Sequence, residues 1–256
     1  MKRILLILGA IILVVGIAAA ALIASALLGR QSVVDGSEVN GVRIVADGIT
    51  SLAVISVSDN QVALIDAGND KTGKAVLAEL SRRKLGPDAV AAVFLTHGHG
   101  DHRGAIPLFP KAQVMALERE APVVEGRESG GGPLNRLMGT GPSGIKVSRS
   151  LQDGEMVSVG NKVFHVYAVP GHTPGSAAYL VDGILFLGDA ADASSNGNIL
   201  RSAWVFSASQ EEDQASLIHL SQRLTRENAN VQAIVFAHSG TLNNGLAPLA
   251  EFAKAN

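Results

Sequence analysis

Four side chains able to bind a metal, His97, His99, Asp101 and His102, fall within six residues and are spaced by Gly98 and Gly100. They directly follow the unbroken apolar run 91–95, which reads as a buried strand of a parallel sheet. A strand that stops there delivers its ligands at its carboxyl end, the edge at which α/β proteins bind ligands because rigid strands hold variable loops. In extended backbone the His97 and His99 imidazoles, two residues apart, point the same way, and the two glycines leave room around them. Asp101 sits where a helix over 103–109 would begin, so its charge suits both the helix N-terminus and a divalent cation. A histidine taken alone is most often a hydrogen-bonded or surface residue. Four ligands in six residues after a buried strand point instead to a metal centre.

The pattern of a strand followed by a ligand recurs. Apolar alternation predicts strands over 33–39, 42–45, 52–57 and 62–65, separated by Gly, Asn and Asp as in an antiparallel meander, and the last of them runs into Asp66. A helix over 71–84, closed by Gly86-Pro87, leads to the histidine-bearing strand. Beyond it come a strand over 114–116, a short helix over 118–124, and strands over 145–147, 156–159 and 162–169. The last ends in Val169-Pro170-Gly171-His172-Thr173-Pro174-Gly175-Ser176. A hairpin of 176–181 and 184–187 turns about Asp182-Gly183 and ends in Gly188-Asp189. After a polar loop, 210–228 has helical period, and the apolar strand 231–236 terminates in Ala237-His238. Brought to one sheet edge with the first cluster, His172, Asp189 and His238 complete seven ligands, enough for two metals. His165, on an alternating strand, and His219, on an amphipathic helix, read as packing or surface residues. The stretch 126–144 is rich in Gly and Pro and lacks Gly-Lys-Ser/Thr, so it is a surface loop rather than a phosphate loop, with a place bordering the active site as the alternative. Arg201, Trp204 and Phe206 follow the Asp189 loop and either line a pocket or serve packing and a surface ion pair.

A chain of 256 residues, 47 % of them hydrophobic, is long enough to bury a sizeable core. Residues 4–28 carry no charge, and as a helix they would be roughly 37 Å long, more than the roughly 30 Å bilayer core. Lys2 and Arg3 precede this run, whereas Arg30 is followed by Asp35 and Glu38, so the positive-inside rule keeps the N-terminus in the cytoplasm. Residues 1–30 are thus expected to be a membrane anchor, with residues 31–256 on the periplasmic or extracellular side. The competing reading is a cleaved signal peptide with a small-residue site at Ala24-Ser25-Ala26; the length of the apolar run disfavours it. Both place the domain in the same compartment. No cysteine is present to form a disulfide or bind a metal. Without residues 1–30, which hold Lys2, Arg3, Arg30 and no acid, 18 basic and 23 acidic residues remain, a formal charge of −5 that disfavours nucleic acid.

With these residues in place, the chain resembles the metallo-β-lactamase superfamily. Asp66, the run His97-x-His99-x-Asp101-His102, His172 in Pro-Gly-His-Thr-Pro-Gly-Ser, Asp189 in Gly-Asp, and His238 match its motifs in order over about 49–240. The resemblance implies an α/β fold, the four-layer αβ/βα sandwich, with two sheets face to face, helices outside and metals in a cleft at one edge. It implies a first ion on His97, His99 and His172, a second on Asp101, His102 and His238, and Asp189 bridging them. It makes Asp66 the acid that orients ligand histidines, since a metal-bound imidazole commonly donates its other N–H to an oxygen. Imidazole and carboxylate suit zinc, two Zn2+ per chain, with Mn2+ or Fe2+ also open because the bridging carboxylate is hard. Such a pair lowers the pKa of bound water from about 15.7 to near 7 and holds a hydroxide nucleophile. Asp101, between ligands, would orient that nucleophile and pass on its proton.

The expected activity is zinc-dependent hydrolysis of an ester, lactone, thioester or related bond of a small molecule, phosphodiesters included. The lactamases with a cysteine ligand are excluded by composition, and the all-histidine lactamases usually lack an acid at the place of Asp189. Hydroxyacylglutathione hydrolases share that acid but carry a helical C-terminal domain, whereas eighteen residues follow His238 here. Acyl-homoserine lactonases place a tyrosine soon after the bridging acid, and none stands in 190–194. The ribonuclease Z branch is disfavoured by the acidic domain and the expected compartment. Two readings of other classes remain: an iron-dependent oxygenase of the same fold, and a metal-binding domain without hydrolytic activity.

Overall fold

A computed structural model of the chain describes residues 9–17, 20, 21, 24 and 28–256. Strands β1 (Glu38–Val39), β2 (Val42–Asp47), β3 (Thr50–Ser58), β4 (Gln61–Ile65), β5 (Val90–Phe94), β6 (Gln113–Leu117) and β7 (Arg149–Leu151) form a seven-stranded sheet in chain order. It is an antiparallel meander as far as β4 and parallel from β4 to β7. A second sheet has the order β14-β11-β10-β9-β8, from β8 (Met156–Val159), β9 (Lys162–Ala168), β10 (Ala177–Val181), β11 (Ile184–Gly188) and β14 (Ala233–Phe236). In it only β11 and β14 pair parallel. The short strands β12 (Ala191–Ala193) and β13 (Ile199–Arg201) pair with each other.

Alternation along the strands sorts the apolar side chains into three clusters, which is why the chain forms four layers. In β4, Ala63 and Ile65 face the other sheet while Val62 and Leu64 face outward; in β14, Ala233 and Val235 face inward while Ile234 and Phe236 face outward. The period of two puts both faces of these strands in apolar surroundings, the sign of a sheet covered on both sides. Between the sheets Phe94 stacks on Phe164, ring centroids 4.2 Å apart, with Tyr179 edge-on at 5.4 Å. Outside the first sheet, Val76 and Leu80 of helix α1 (Lys74–Arg82) join Val62, Leu64 and Val93. Outside the second, Leu217, Leu220 and Leu224 of a long helix over Gln210–Arg226 and Leu249 and Phe252 of one over Ala247–Ala255 cover Leu185, Leu187 and Ile234. Between these in the chain lie two short helices, α2 (Ala121–Val124) and α3 (Pro133–Met138), so the two helices covering the second sheet are α4 and α5. Helix α4 begins where the Ser209 side chain accepts from the Glu212 N–H, with Glu211, Glu212 and Asp213 in its first turn and Arg223 and Arg226 in its last.

Several local expectations need correction. The strand expected over 33–39 is reduced to Glu38–Val39, because Gly36, at a φ of +70°, turns the chain and donates its N–H to the Ile44 carbonyl. In place of a helix over 103–109 there is a single 3₁₀ turn, Ile106–Leu108; Gly104 N instead bonds Gly68 O, tying this stretch back to the end of β4. The strand expected over 145–147 lies at Arg149–Leu151, where it pairs with β6, while Ile145 and Val147 pack against the outer cluster. The loop 126–144 contains α3, and the polar loop after Asp189 contains β12 and β13. Among the described residues no helix is long and apolar enough to cross a membrane. Fifteen of the thirty residues of the expected anchor fall outside the described residues. The segment from Gly29 onward is stitched to the domain: Gln31 N donates to Ala193 O, Ser195 N to Gly29 O, and Arg30 pairs with Asp192 at 2.7 Å.

Candidate metal centre

The loops after β4, β5, β9, β11 and β14 meet at one edge of the sandwich. Hydrogen bonds between the sheets fix that edge, with Ala177 N donating to Thr96 O and Ser51 N to Ala237 O, both at 2.8 Å. β4 ends in Asp66, whose φ of +59° costs strain that Asp tolerates better than most residues. Its buried carboxylate offsets that cost by accepting from Thr96 N and Thr96 Oγ1 at 2.8 Å each and by meeting His102 Nδ1 at 2.9 Å.

All seven expected ligands come together. His99 Nδ1 lies 2.9 Å from His97 Nε2 and 3.0 Å from His172 Nε2. Three nitrogens on a tetrahedral zinc would be roughly 3.3 Å apart, given metal–nitrogen distances of about 2.0–2.1 Å, so this triad is already near that spacing. On the other side, Asp101 Oδ2 is 3.3 Å from His238 Nε2 and 3.7 Å from His102 Nε2. Asp189 stands between the two groups, with Oδ2 3.5 Å from His172 Nε2 and 3.1 Å from His238 Nε2, and Oδ1 3.3 Å from His102 Nε2. Three overlapping groups of these residues could hold a metal ion: His97, His99 and His172; His97, His102 and Asp189; and Asp101, His102 and His238.

Tautomers support the same use. His97 Nδ1 faces Thr96 Oγ1, His102 Nδ1 faces Asp66, His172 Nδ1 faces Ser207 Oγ, and His238 Nδ1 faces the Ile49 carbonyl at 2.6 Å. In these four each outer nitrogen meets an oxygen, so it carries the proton and leaves Nε2 free to point inward as a ligand; His99 differs, pointing Nδ1 inward and meeting the Asn135 amide nitrogen with its outer Nε2. Two inward atoms, His102 Nε2 and Asp189 Oδ1, are fully buried and make no hydrogen bond at all. A buried polar atom without a partner is costly, and a cation between these two would satisfy both.

In the protein alone the two halves hold protons differently. Burial, reinforced by neighbouring imidazoles, pushes His97 well below its ordinary value, His99 down to about 3 and His172 down to about 4. Burial acts the same way on His102 and His238, but Asp189, Asp101 and, for His102, Asp66 outweigh it and lift them to about 9 and about 11. Against burial, His102 and His238 bring Asp101 down to about 2 and hold Asp189 well below the usual carboxylate range. A metal ion at the second group would therefore displace protons, and one at the first would not.

The cluster forms the floor of a cleft of about 670 Å³. Asp101, Asp189, His99 and His238 line its floor, and Ile49, Met138 and Phe206 its walls, with Arg30 and Asp192 at one side. Phe206 thus lines the pocket, Trp204 is 40 % exposed, and Arg201 pairs with Gln214 at the surface. His165 and His219 lie away from the site, on β9 and α4.

Three supporting side chains carry no signal in the sequence. Glu120 is fully buried and accepts from Gly98 N at 2.7 Å, Thr173 Oγ1 at 2.8 Å and Gly175 N at 2.8 Å, so one carboxylate joins the loops of His97 and His172. Both glycines are required there, since a Cβ on Gly98 would run into Val124 and one on Gly175 into Glu120. Burial pushes Glu120 up to about 7 despite these donors. Ser207 holds His172, and the Asn135 amide, on α3, lies 2.8 Å from His99 Nε2. Short polar residues in Gly- and Ser-rich loops look like ordinary turn residues until the fold places them.

The family model of the metallo-beta-lactamase superfamily matches residues 46–237. The chain belongs to that superfamily. Its residues align with a hydroxyacylglutathione hydrolase of Vibrio campbellii at 27 % identity over 150 residues, 57 % of this chain and 48 % of that protein. The uncharacterized protein YobT of Bacillus subtilis is 32 % identical over 142 residues, 52 % of this chain and 58 % of that one. The chain spans about half the length of the curated relatives it matches. Among solved structures, a subclass B3 metallo-beta-lactamase of Bradyrhizobium japonicum superposes with a TM-score of 0.63 at 19 % identity, covering 90 % of this chain and 93 % of that one. An archaeal superfamily protein of Sulfolobus tokodaii does so with 0.60 at 21 %, covering 85 % and 86 %. These likenesses establish the fold of the superfamily.

Proposed function

We infer that the chain is a zinc-dependent hydrolase holding two ions, which cleaves an ester, lactone or thioester bond of a small molecule. The observation that carries this reading is the pair of buried atoms His102 Nε2 and Asp189 Oδ1, which make no hydrogen bond although they lie 3.3 Å apart, among four histidines whose outer nitrogens are committed to oxygens. His97, His99 and His172 would hold one ion, Asp101, His102 and His238 the other, and Asp189 would serve both. When bound, the ions supply a Lewis acid and a water of lowered pKa. Asp66 and Thr96 keep His102 and His97 in the ligating tautomer. Asp101, on the cleft floor beside His238, orients the attacking water and accepts its proton. The name borne by the relatives from Vibrio and Aliivibrio favours a thioester among the candidate bonds.

The apolar run after Lys2 and Arg3 supports a membrane anchor with the domain on the periplasmic or extracellular side; protease accessibility in intact cells tests it. For the chemistry, the protein is loaded separately with zinc, manganese and iron and given a lactone, a thioester, a phosphodiester and a β-lactam. Turnover of one bond type, lost in a His97→Ala/His99→Ala variant, is the expected result. Retained turnover and retained metal in that variant would overturn the reading.

A further inference from the structure

Arg103 carries a charge that nothing in the protein answers. It is half-buried, and its donor-rich guanidinium makes one hydrogen bond, Nη1 to Val124 O at 2.7 Å. Nε is buried without a partner, and among the described residues no carboxylate forms an ion pair with this side chain. Burial pushes Arg103 below its ordinary value with no acid to offset the cost. Cations taken out of water are as a rule paired, as Arg30 is with Asp192 and Arg127 with Glu125. The bond to Val124 O caps the last carbonyl of α2, which accounts for one donor and not for the charge.

Arg103 lines a second cavity, of about 140 Å³, which adjoins the metal cleft along His99, Gly100, Asn135 and Met138. Drug-sized ligands fill about 300–1,000 Å³. At about 30 Å³ per water, the smaller cavity has room for one small ionic group and its hydration. Its outer wall is firmly held. Arg127 N and Glu128 N both donate to Pro122 O, and Gly126, at a φ of +76°, packs so close to the Gly141 carbonyl that a Cβ would run into it. On this wall Ser129 Oγ accepts from Gly131 N and still has its own proton to give, while Thr140 Oγ1 makes no hydrogen bond among the described residues. Glu128 is the only carboxylate in the lining, and it is exposed.

We propose that this cavity is an oxyanion site, in which Arg103, Ser129 and Thr140 hold a carboxylate or phosphate group. The planar fork of an arginine matches two oxygens of such a group, and the hydroxyls supply further donors. A neutral ligand would leave the charge unpaired, and a cation would be repelled. The site is distinct from the candidate metal ligands and does not depend on the hydrolytic reading. The group belongs either to the far end of a molecule lying in the metal cleft or to a free anion, which share this chemistry.

The full-length, metal-loaded protein is titrated calorimetrically with inorganic phosphate. The expected result is saturable binding, weakened at least about tenfold in Arg103→Gln, whose amide can still donate to Val124 O, and tightened about two- to fivefold in Glu128→Gln, with equal metal content in all three proteins. No saturable binding would overturn the inference. So would unchanged affinity in Arg103→Gln, which with a lowered melting temperature would leave Arg103 as a helix cap alone. Two further arms separate the sources. If the group is part of the molecule in the cleft, phosphate competes with an ester bearing a terminal carboxylate, and Arg103→Gln raises KM for that ester but not for its methylated twin, at unchanged kcat. If it is a free anion, phosphate alters turnover of the methylated twin in wild type and not in Arg103→Gln. Either outcome upholds the site. Absence of turnover of both esters would count against the hydrolytic reading and leave the titration to decide the site.

Discussion

Replacing Glu120 tests whether a side chain that touches no ligand nevertheless holds the centre together. Its two oxygens accept from Gly98 N, Gly175 N and Thr173 Oγ1, all inside the protein. In Glu120→Gln the new NH₂ must face a backbone N–H whichever way the amide turns; the Thr173 hydroxyl can rotate to accept from it, but Gly98 or Gly175 cannot. One buried N–H is left without a partner, a loss of about 1–3 kcal/mol, or roughly 2–12 °C in melting temperature for a domain of this size. Glu120→Ala strands all three donors and opens a cavity, and should cost about 3–5 kcal/mol. Because burial raises this acid to about 7, the stability it contributes is fully present below its unfolded value near 4.5 and is lost as pH rises through about 7. The deficit of Glu120→Gln is therefore largest near pH 5 and smaller near pH 8. Denaturant melts at the two pH values, paired with metal content, measure both effects. A Glu120→Ala protein that melts like wild type and keeps its metal would refute the reasoning.

Other outcomes rest on the same contacts. Asp66→Asn keeps its shape but turns an NH₂ toward donors its carboxylate now accepts, weakening its hold on the His102 N–H, and metal affinity should fall about 10–100-fold, read by chelator competition. Metal uptake at the second group must displace protons from His102 and His238, which their carboxylates lift to about 9 and about 11. Calorimetric titration in buffers of different ionisation enthalpy should show more protons released at the second group than at the first, by about two from His102 and His238. Lowering pH should therefore empty the second group first; loss of both ions together would contradict that order.

Candidate ligands placed after long apolar strands were legible in the chain itself. β5 and β14 announce themselves by runs that can only be buried, and His97, His99, Asp101, His102 and His238 stand directly after them. The sandwich came from the resemblance, because Val62, Ala63, Leu64 and Ile65 are all apolar and their division between two clusters shows only once the sheets are placed. The features that escaped depend on distant chain closure. Gly104 looks like a residue inside a short helix until its N–H is seen to bond Gly68 O. The carbonyl of Ile49 has no sequence identity as a histidine partner, and Glu120 resembles any acid in a short helix until the His97 and His172 loops close on it. Helix α3 hid in a Gly-rich stretch because six residues are too few to show a period.

The most direct test of the central claim is metal content and turnover measured together on natively purified protein and on His97→Ala/His99→Ala. About two zinc ions per chain with hydrolysis of one bond type, falling to one ion or fewer with turnover lost in the variant, is the predicted result. Wild-type turnover in a variant stripped of its metal would contradict it.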